Sequence, residues 1–297
     1  MSNEQLPIRT PPPGGAHPIR HVVLVTGASS GIGRATALQL LRRGDTHVVL
    51  VARRRAELEE TVRRAGTSDA ARTSIIVCDL ATADGARALA RQVRAEHPRL
   101  TALVNNAGVS ASLDVFDPAA GSDTERVLAL NLLAPMLLVH ELVDLLAASR
   151  GAIVNVSSAA GLIGTPKSPV YSASKWGLTG FSEALHARCG PLGIRVTNVQ
   201  PGPVPTEGWP HDSLRRSPLR KLLTADVGDI AAAIERAACA PGRGRAGVVL
   251  PRIYGLIPFV RGVAPALLRA VVGGVGRRAT AAQSQNTPAA RAGRDPR

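Results

Sequence analysis

Short apolar runs alternate with helical patterns along this chain, and that alternation most limits how it can fold. The runs are His21–Thr26 (HVVLVT), His47–Ala52 (HVVLVA), Thr73–Cys78, Leu100–Val104, Gly151–Val156, Ile194–Val199 and Gly247–Leu250. They are short and nearly free of charge, as strands covered on both faces of a parallel sheet should be. Between them, apolar residues recur at helical spacing over Arg34–Arg43, Ala56–Ala65, Ala83–His97, Asp123–Ser149, His211–Leu223 and Asp226–Ala240. Pro135 marks a joint within the fourth of these. The pattern predicts an α/β single domain: a doubly wound parallel sheet of about seven strands with helices on both faces. A chain of 297 residues is long enough to bury a full core around such a sheet.

The first strand runs directly into Gly27-Ala28-Ser29-Ser30-Gly31-Ile32-Gly33 and then into a helix. Glycines permit a tight turn and let a phosphate approach the backbone, while the helix N-terminus offers bare N–H groups. Strand, glycine turn and helix in that order make the sheet Rossmann-type, although the spacing is G-x-x-x-G-x-G rather than G-x-G-x-x-G. Arg53-Arg54-Arg55 follow the second strand, with no acid at the strand end to take a ribose hydroxyl. Arginine there suits a 2′-phosphate, so the reading favours NADP(H) over NAD(H), with Arg53 the candidate and Arg54 and Arg55 better placed to begin a helix. Asp79-Leu80 close the third strand, and Asn105-Asn106-Ala107-Gly108 close the fourth.

Tyr171 and Lys175 stand four residues apart in a helical pattern, so they share one face. An ammonium beside a phenol favours the phenolate and lowers a pKa otherwise near 10. A phenol tuned in that way is a general acid or base, whereas the bland alternative is two residues on a solvated helix face. Ser158 lies 13 positions earlier, at the end of the fifth strand, across a Gly- and Pro-rich loop, Ala159–Pro169. Asn131 is an amide among leucines, which calls for buried partners and serves either the site or the fold.

Formal net charge is +14, and ten arginines against one acid (Asp295) lie between Cys239 and Arg297. Aromatics make up only 2% of the chain, too few to stack bases, and no nucleic-acid module is recognisable, so nucleic acid is not the expected partner. The three cysteines, Cys78, Cys189 and Cys239, have no paired or metal-ligand spacing. They fit a reduced, cytoplasmic setting and no metal site. Residues 1–20 and 277–297 read as disordered tails, and no signal peptide precedes the domain. The stretch 254–276 is apolar but broken by Pro258, Arg261, Pro265 and Arg269. It suits a lid, a subunit interface or a weak membrane-surface contact better than a spanning helix.

Together these motifs resemble the short-chain dehydrogenase/reductase family in its compact single-domain branch, over about residues 20 to 251. Thr26–Gly33 is similar to its TGxxxGxG loop, Asp79 to its adenine-contacting acid, and Asn105–Gly108 to its NNAG motif. Asn131, Ser158, Tyr171 and Lys175 resemble its catalytic tetrad. Pro201-Gly202 and Thr206 resemble the motif that holds the nicotinamide. The resemblance implies a cofactor site of Gly27, Ser29, Ser30, Gly31, Ile32, Gly33, Arg53, Asp79, Leu80, Asn105, Ala107, Tyr171, Lys175, Pro201, Gly202, Val204 and Thr206. It implies hydride transfer between NADP(H) and a carbonyl or secondary alcohol. Ser158 would orient the substrate oxygen and Tyr171 move its proton. Lys175 would tune Tyr171 and bind the ribose, and Asn131 would hold a relay water. A homo-oligomer, dimer or tetramer, goes with it. Trp209, His211, Leu214, Leu219, Leu222 and Leu223 suggest an apolar small-molecule substrate. The competing function is a non-catalytic NADP-binding regulator.

Overall fold

The computed structural model describes residues 18–109, 121–166, 168–205, 223–242, 244–268, 270 and 272. The expected helix His211–Leu223 (except Leu223), Thr206, Trp209 and most of both tails lie outside these residues.

In chain order the elements are β1 (His21–Thr26), α1 (Gly31–Leu41), β2 (Thr46–Ala52), α2 (Arg55–Ala65), the single turn α3 (Thr67–Ala70), β3 (Thr73–Val77), α4 (Ala83–Glu96) and β4 (Ala102–Asn105). Then come α5 (Gly121–Leu128), a π turn (Ala129–Leu133), α6 (Ala134–Ala148), β5 (Ala152–Val156) and α7 (Pro169–Cys189). The chain continues through β6 (Arg195–Pro201), α8 (Val227–Cys239), β7 (Gly247–Leu250), a 3-10 turn (Arg252–Leu256) and α9 (Ile257–Val263). The seven strands are all parallel, in the order β3-β2-β1-β4-β5-β6-β7.

Strand pleating divides the core in two, because successive side chains point to opposite faces. Val23 and Val25 of β1 join Val48 and Leu50 of β2 against Leu40 and Leu41 of α1 and Ile230 and Ile234 of α8. Leu24 and Val49, one register on, face Leu89 and Val93 of α4 and Leu138, Leu142 and Leu146 of α6. All of these side chains are buried, each contributing about 1.5–3 kcal/mol of transfer free energy. The run Gly121–Ala148 is long and apolar enough to cross a membrane, yet its α6 half is packed on the sheet through this second layer.

Several expected boundaries shift. The first helix begins at Gly31, three residues before Arg34, because the glycine turn is itself the first helical turn. The fourth strand is Ala102–Asn105, so Asn105 is a strand residue and not part of a loop. The break in the fourth helical stretch is at the π turn, one turn before Pro135. Pro135 has no N–H to give the carbonyl four residues back, that of Asn131, and its ring crowds that carbonyl. The helix opens there by one residue, as π turns at functional sites commonly do.

Candidate active site

Outside the carboxyl ends of the strands, at the point where β1 and β4 adjoin and the chain winds in opposite directions, an open parallel sheet has its ligand crevice. The turns after β1, β4, β5 and β6 all reach this edge.

The turn after β1 is built around close backbone approach. Gly27 has φ +70, and a Cβ at Gly33 would lie 2.1 Å from the Gly27 carbonyl oxygen, so only hydrogen fits at Gly33. Ser30 takes the N-cap position of α1, but its side chain accepts no bond from the first-turn amides. An uncapped helix N-terminus beside a glycine turn is a cradle for phosphate, so these residues fit a dinucleotide. Two residues invisible as site residues in the sequence brace the turn. Buried Arg34 donates through Nη2 to the Ser29 carbonyl and through Nε to Thr61 Oγ1 at 3.2 Å, and Thr61 donates to the Ala28 carbonyl at 3.1 Å. The only sequence signal was an arginine on the inward face of an apolar helix.

Thr26 ties this turn to the one after β4. Its hydroxyl donates to the Val104 carbonyl at 3.2 Å and accepts from the amides of Asn106 and Ala107, both at 3.0 Å. Asn106 Nδ2 donates back to the Thr26 carbonyl at 2.9 Å. Asn105 turns under the sheet and donates to Asn155 Oδ1 at 2.9 Å, and Asn155 donates to Ser182 Oγ at 2.9 Å. Asn155 and Ser182, like Arg34, had no motif to announce them.

The helix α7 carries Tyr171 and Lys175 to the end of β5. Ser157, the residue after that strand, donates to the Lys175 carbonyl at 2.8 Å, and Thr179 donates to the same carbonyl at 2.9 Å, which locks the helix against the strand. Buried Lys175 donates through Nζ to the Val156 carbonyl at 3.0 Å. The Ser158 hydroxyl accepts from the Ala160 amide at 3.1 Å and lies near enough to the Tyr171 phenol to influence it. Asn131, fully buried on the π turn, accepts from the Val109 amide at 2.8 Å and donates to the Val109 carbonyl at 3.0 Å and to Ser174 Oγ at 3.1 Å. Gly108 sits between the two polar groups: a Cβ there would be 3.1 Å from Asn131 Oδ1 and 3.4 Å from Lys175 Nζ. The structure therefore gathers Ser158, Tyr171, Lys175 and Asn131 from three separate segments: the end of β5, α7 and the π turn.

The electrostatics differ from expectation in one respect. Burial pushes the Tyr171 phenol up, and the nearby Ser158 hydroxyl only partly offsets it. Lys175 is not among the causes, although its Nζ lies 5.8 Å from the centre of the Tyr171 ring. The ring keeps some exposed area, but the surroundings of the hydroxyl govern the shift, and they are crowded by protein atoms. Lys175 is itself brought down to about 8 by burial. The expected lowering of Tyr171 by Lys175 is therefore absent from this arrangement, in which burial of the phenol outweighs its other surroundings.

Arg53 follows β2 directly and is exposed, with no ion pair among the described residues. Arg54 and Arg55 pair with Glu57 and Glu59 along α2, the ordinary helix-surface use. Asp79 is exposed at the rim and accepts from the Ala81 amide at 3.0 Å, while Leu80 is buried beneath it. Ile32 is part-buried in α1, Pro201 ends β6, and Gly202 donates to the Leu250 carbonyl at 2.6 Å. Val204 is buried beyond it. The ring of Tyr254 packs on Gly202, and its hydroxyl donates to the Leu223 carbonyl at 3.1 Å, so the C-terminal extension closes against the β6 turn.

The short chain dehydrogenase family profile matches residues 21–214. The chain belongs to that family. It is 33% identical over 180 residues to a 3beta-hydroxysteroid dehydrogenase of Mediterraneibacter gnavus, covering 61% of this chain and 64% of that protein. It is 31% identical over 250 residues to the 11-beta-hydroxysteroid dehydrogenase-like 2 protein of Arabidopsis thaliana, covering 83% and 79%. A crystal structure of a metagenomic short-chain oxidoreductase in complex with NADP superposes with a TM-score of 0.66 at 32% identity, over 78% of this chain and 97% of the other. The chain thus spans just under two thirds of the first of these relatives. The seven-stranded parallel sheet expected from the sequence is the architecture observed.

Proposed function

We propose that this short-chain dehydrogenase is an NADP(H)-dependent oxidoreductase that interconverts a carbonyl and a secondary alcohol. The observation that carries the reading is Tyr171 placed next to Ser158, on the helix whose buried Lys175 is bonded to the end of β5, in a fold whose first helix N-terminus is uncapped. The glycine turn, Arg53, the Asp79-Leu80 rim, the Asn105–Ala107 turn and Pro201–Val204 are the residues that would hold NADP(H). Bound there, it supplies or accepts the hydride.

Ser158 orients the substrate oxygen. Tyr171, whose raised pKa keeps it protonated at neutral pH, gives its proton to that oxygen in reduction and takes one back in oxidation. Lys175, titrating at about 8, is matched to pass a proton near neutrality, and Gly108 leaves room between it and Asn131. Asn131 is held rigid by Val109 and Ser174 and serves that path as its positioning group.

An apolar, bulky substrate is supported by the hydroxysteroid names of two relatives. The test is a panel of ketones and alcohols, steroids included, followed by NADPH absorbance. Turnover of apolar ketones supports the reading. Binding of NADPH with no oxidation across the panel favours a non-catalytic regulator instead. Three unpaired thiols support a reducing, cytoplasmic location.

The C-terminal extension supports a second contact. Every described large apolar side chain more than half exposed lies on it: Leu256 at 60%, Phe259 at 67%, Val263 at 65% and Leu267 at 60%. Arg261 from the same stretch stacks on Trp176, 3.9 Å from the ring centre, next to an apolar depression of about 420 Å³ on α7. An anionic membrane surface matches an apolar row set in an arginine-rich segment better than a second like-charged copy does. The exposed Leu128 and Leu133 near the π turn support a separate homo-oligomer face, dimer or tetramer. Flotation with anionic and neutral vesicles, and light scattering of the eluted protein, test the two contacts.

A further inference from the structure

At the opposite end of β6 from the active site, Arg195, Arg236 and Arg245 line a cavity of about 350 Å³. The seven residues of β6 separate the two ends by about 20 Å. Arg195 opens β6, Arg236 stands in the last turn of α8, and Arg245 precedes β7. Among the described residues no Asp or Glu lines the cavity. Glu235, the acid next to Arg236, is taken by Arg43 at 2.6 Å.

The cluster is not accounted for by local structure. Arg195 uses two donors on the carbonyls of Arg150, at 3.2 Å, and Ala238, at 3.3 Å, the second of which caps the carboxyl end of α8. Its buried Nε has no partner. Arg236 and Arg245 have no carboxylate partner among the described residues. The loop before β7 is held tightly over β6. A Cβ at Gly244 would be 2.7 Å from the Val196 carbonyl oxygen, and the Arg245 amide donates to Thr197 Oγ1 at 3.2 Å. Ala233, Ala237 and Ala240 leave the α8 wall open. Three arginines thereby line one space, with no Asp or Glu among its described lining residues.

We propose that this cavity binds a small oxyanion carrying at least two negative charges, through charge-assisted bonds from Arg195, Arg236 and Arg245. Guanidinium forks match phosphoryl and carboxylate oxygens equally well, so the shared chemistry is the multiply charged oxyanion. The volume suits a small metabolite.

The experiment is calorimetric titration of the full chain with inorganic pyrophosphate and, separately, with citrate. Saturating NADPH is present to occupy the glycine turn, and ionic strength is matched with potassium chloride. We expect saturable binding of one or both probes, and their order tells phosphoryl from carboxylate preference. Arg236→Gln and Arg245→Gln, both at exposed positions, should each weaken it by about tenfold or more while NADPH affinity stays within about twofold. Absence of saturable binding, or equal affinity in the Arg236→Gln/Arg245→Gln double variant, overturns the proposal. Because NADPH affinity is read separately, a failure at the crevice is distinguishable from a failure here.

Discussion

Lys175 Nζ donates to the carbonyl of Val156, the last residue of β5, at 3.0 Å. The bond ties the helix that carries Tyr171 to the central sheet, and it gives a buried ammonium one fixed acceptor in place of water. Burial still dominates and brings the group from 10.5 to about 8.

That shift predicts a pH-dependent stability. Between about pH 8 and 10.5 the unfolded chain holds the Lys175 proton more firmly than the folded one, so this residue's penalty fades as pH rises. Below that window the penalty is at its full size, on the order of 3 kcal/mol. Lys175→Met removes it at every pH. The stability difference between the variant and the parent should therefore shift by roughly 2–3 kcal/mol in the parent's favour between about pH 7 and pH 10. Urea unfolding without cofactor at a series of pH values measures it. A difference that stays flat with pH would place the lysine in water.

Tyr171→Phe removes the proton carrier and leaves the ring in place. Turnover should fall by about 10²–10⁴-fold, with NADPH affinity nearly unchanged. Single-turnover kinetics and fluorescence titration separate the two effects. Equal losses in both would make Tyr171 a binding residue.

Arg53 has no ion pair among the described residues, whereas its two neighbours are paired along α2. Arg53→Asp should lower the ratio of kcat/KM for NADPH over NADH by about tenfold or more. An unchanged ratio would remove Arg53 from the cofactor site.

Pro135→Ala restores the N–H that the Asn131 carbonyl lacks and should let the π turn close into α-helix. The expected outcome is an equal or higher thermal midpoint with about tenfold lower kcat, because Asn131 swings away from Val109 and Ser174. Full activity would show that the turn is not needed to place Asn131.

The strand runs were legible because each is a short block of β-branched residues, and burial on both faces leaves little room for other chemistry. Ser158, Tyr171 and Lys175 were legible because their motif spacing is set by one helix and one strand end. Boundaries such as Gly31 and Asn105 were not, since a glycine turn and a terminal amide look like loop until the hydrogen bonds are counted. Arg34, Thr61, Asn155 and Ser182 carry no motif, because their work depends on partners as far as 50 residues away.

Sequence alone determined the layered α/β order, the glycine turn and the residue types that meet at the strand ends, because local periodicity and backbone freedom are written in neighbouring residues. Tertiary structure alone decided that Tyr171 is pushed up rather than drawn down, that the helix opens at Asn131, and that three arginines share one cavity. Each of those depends on what surrounds a side chain in space, on desolvation and long-range charge, and no stretch of chain records its own surroundings.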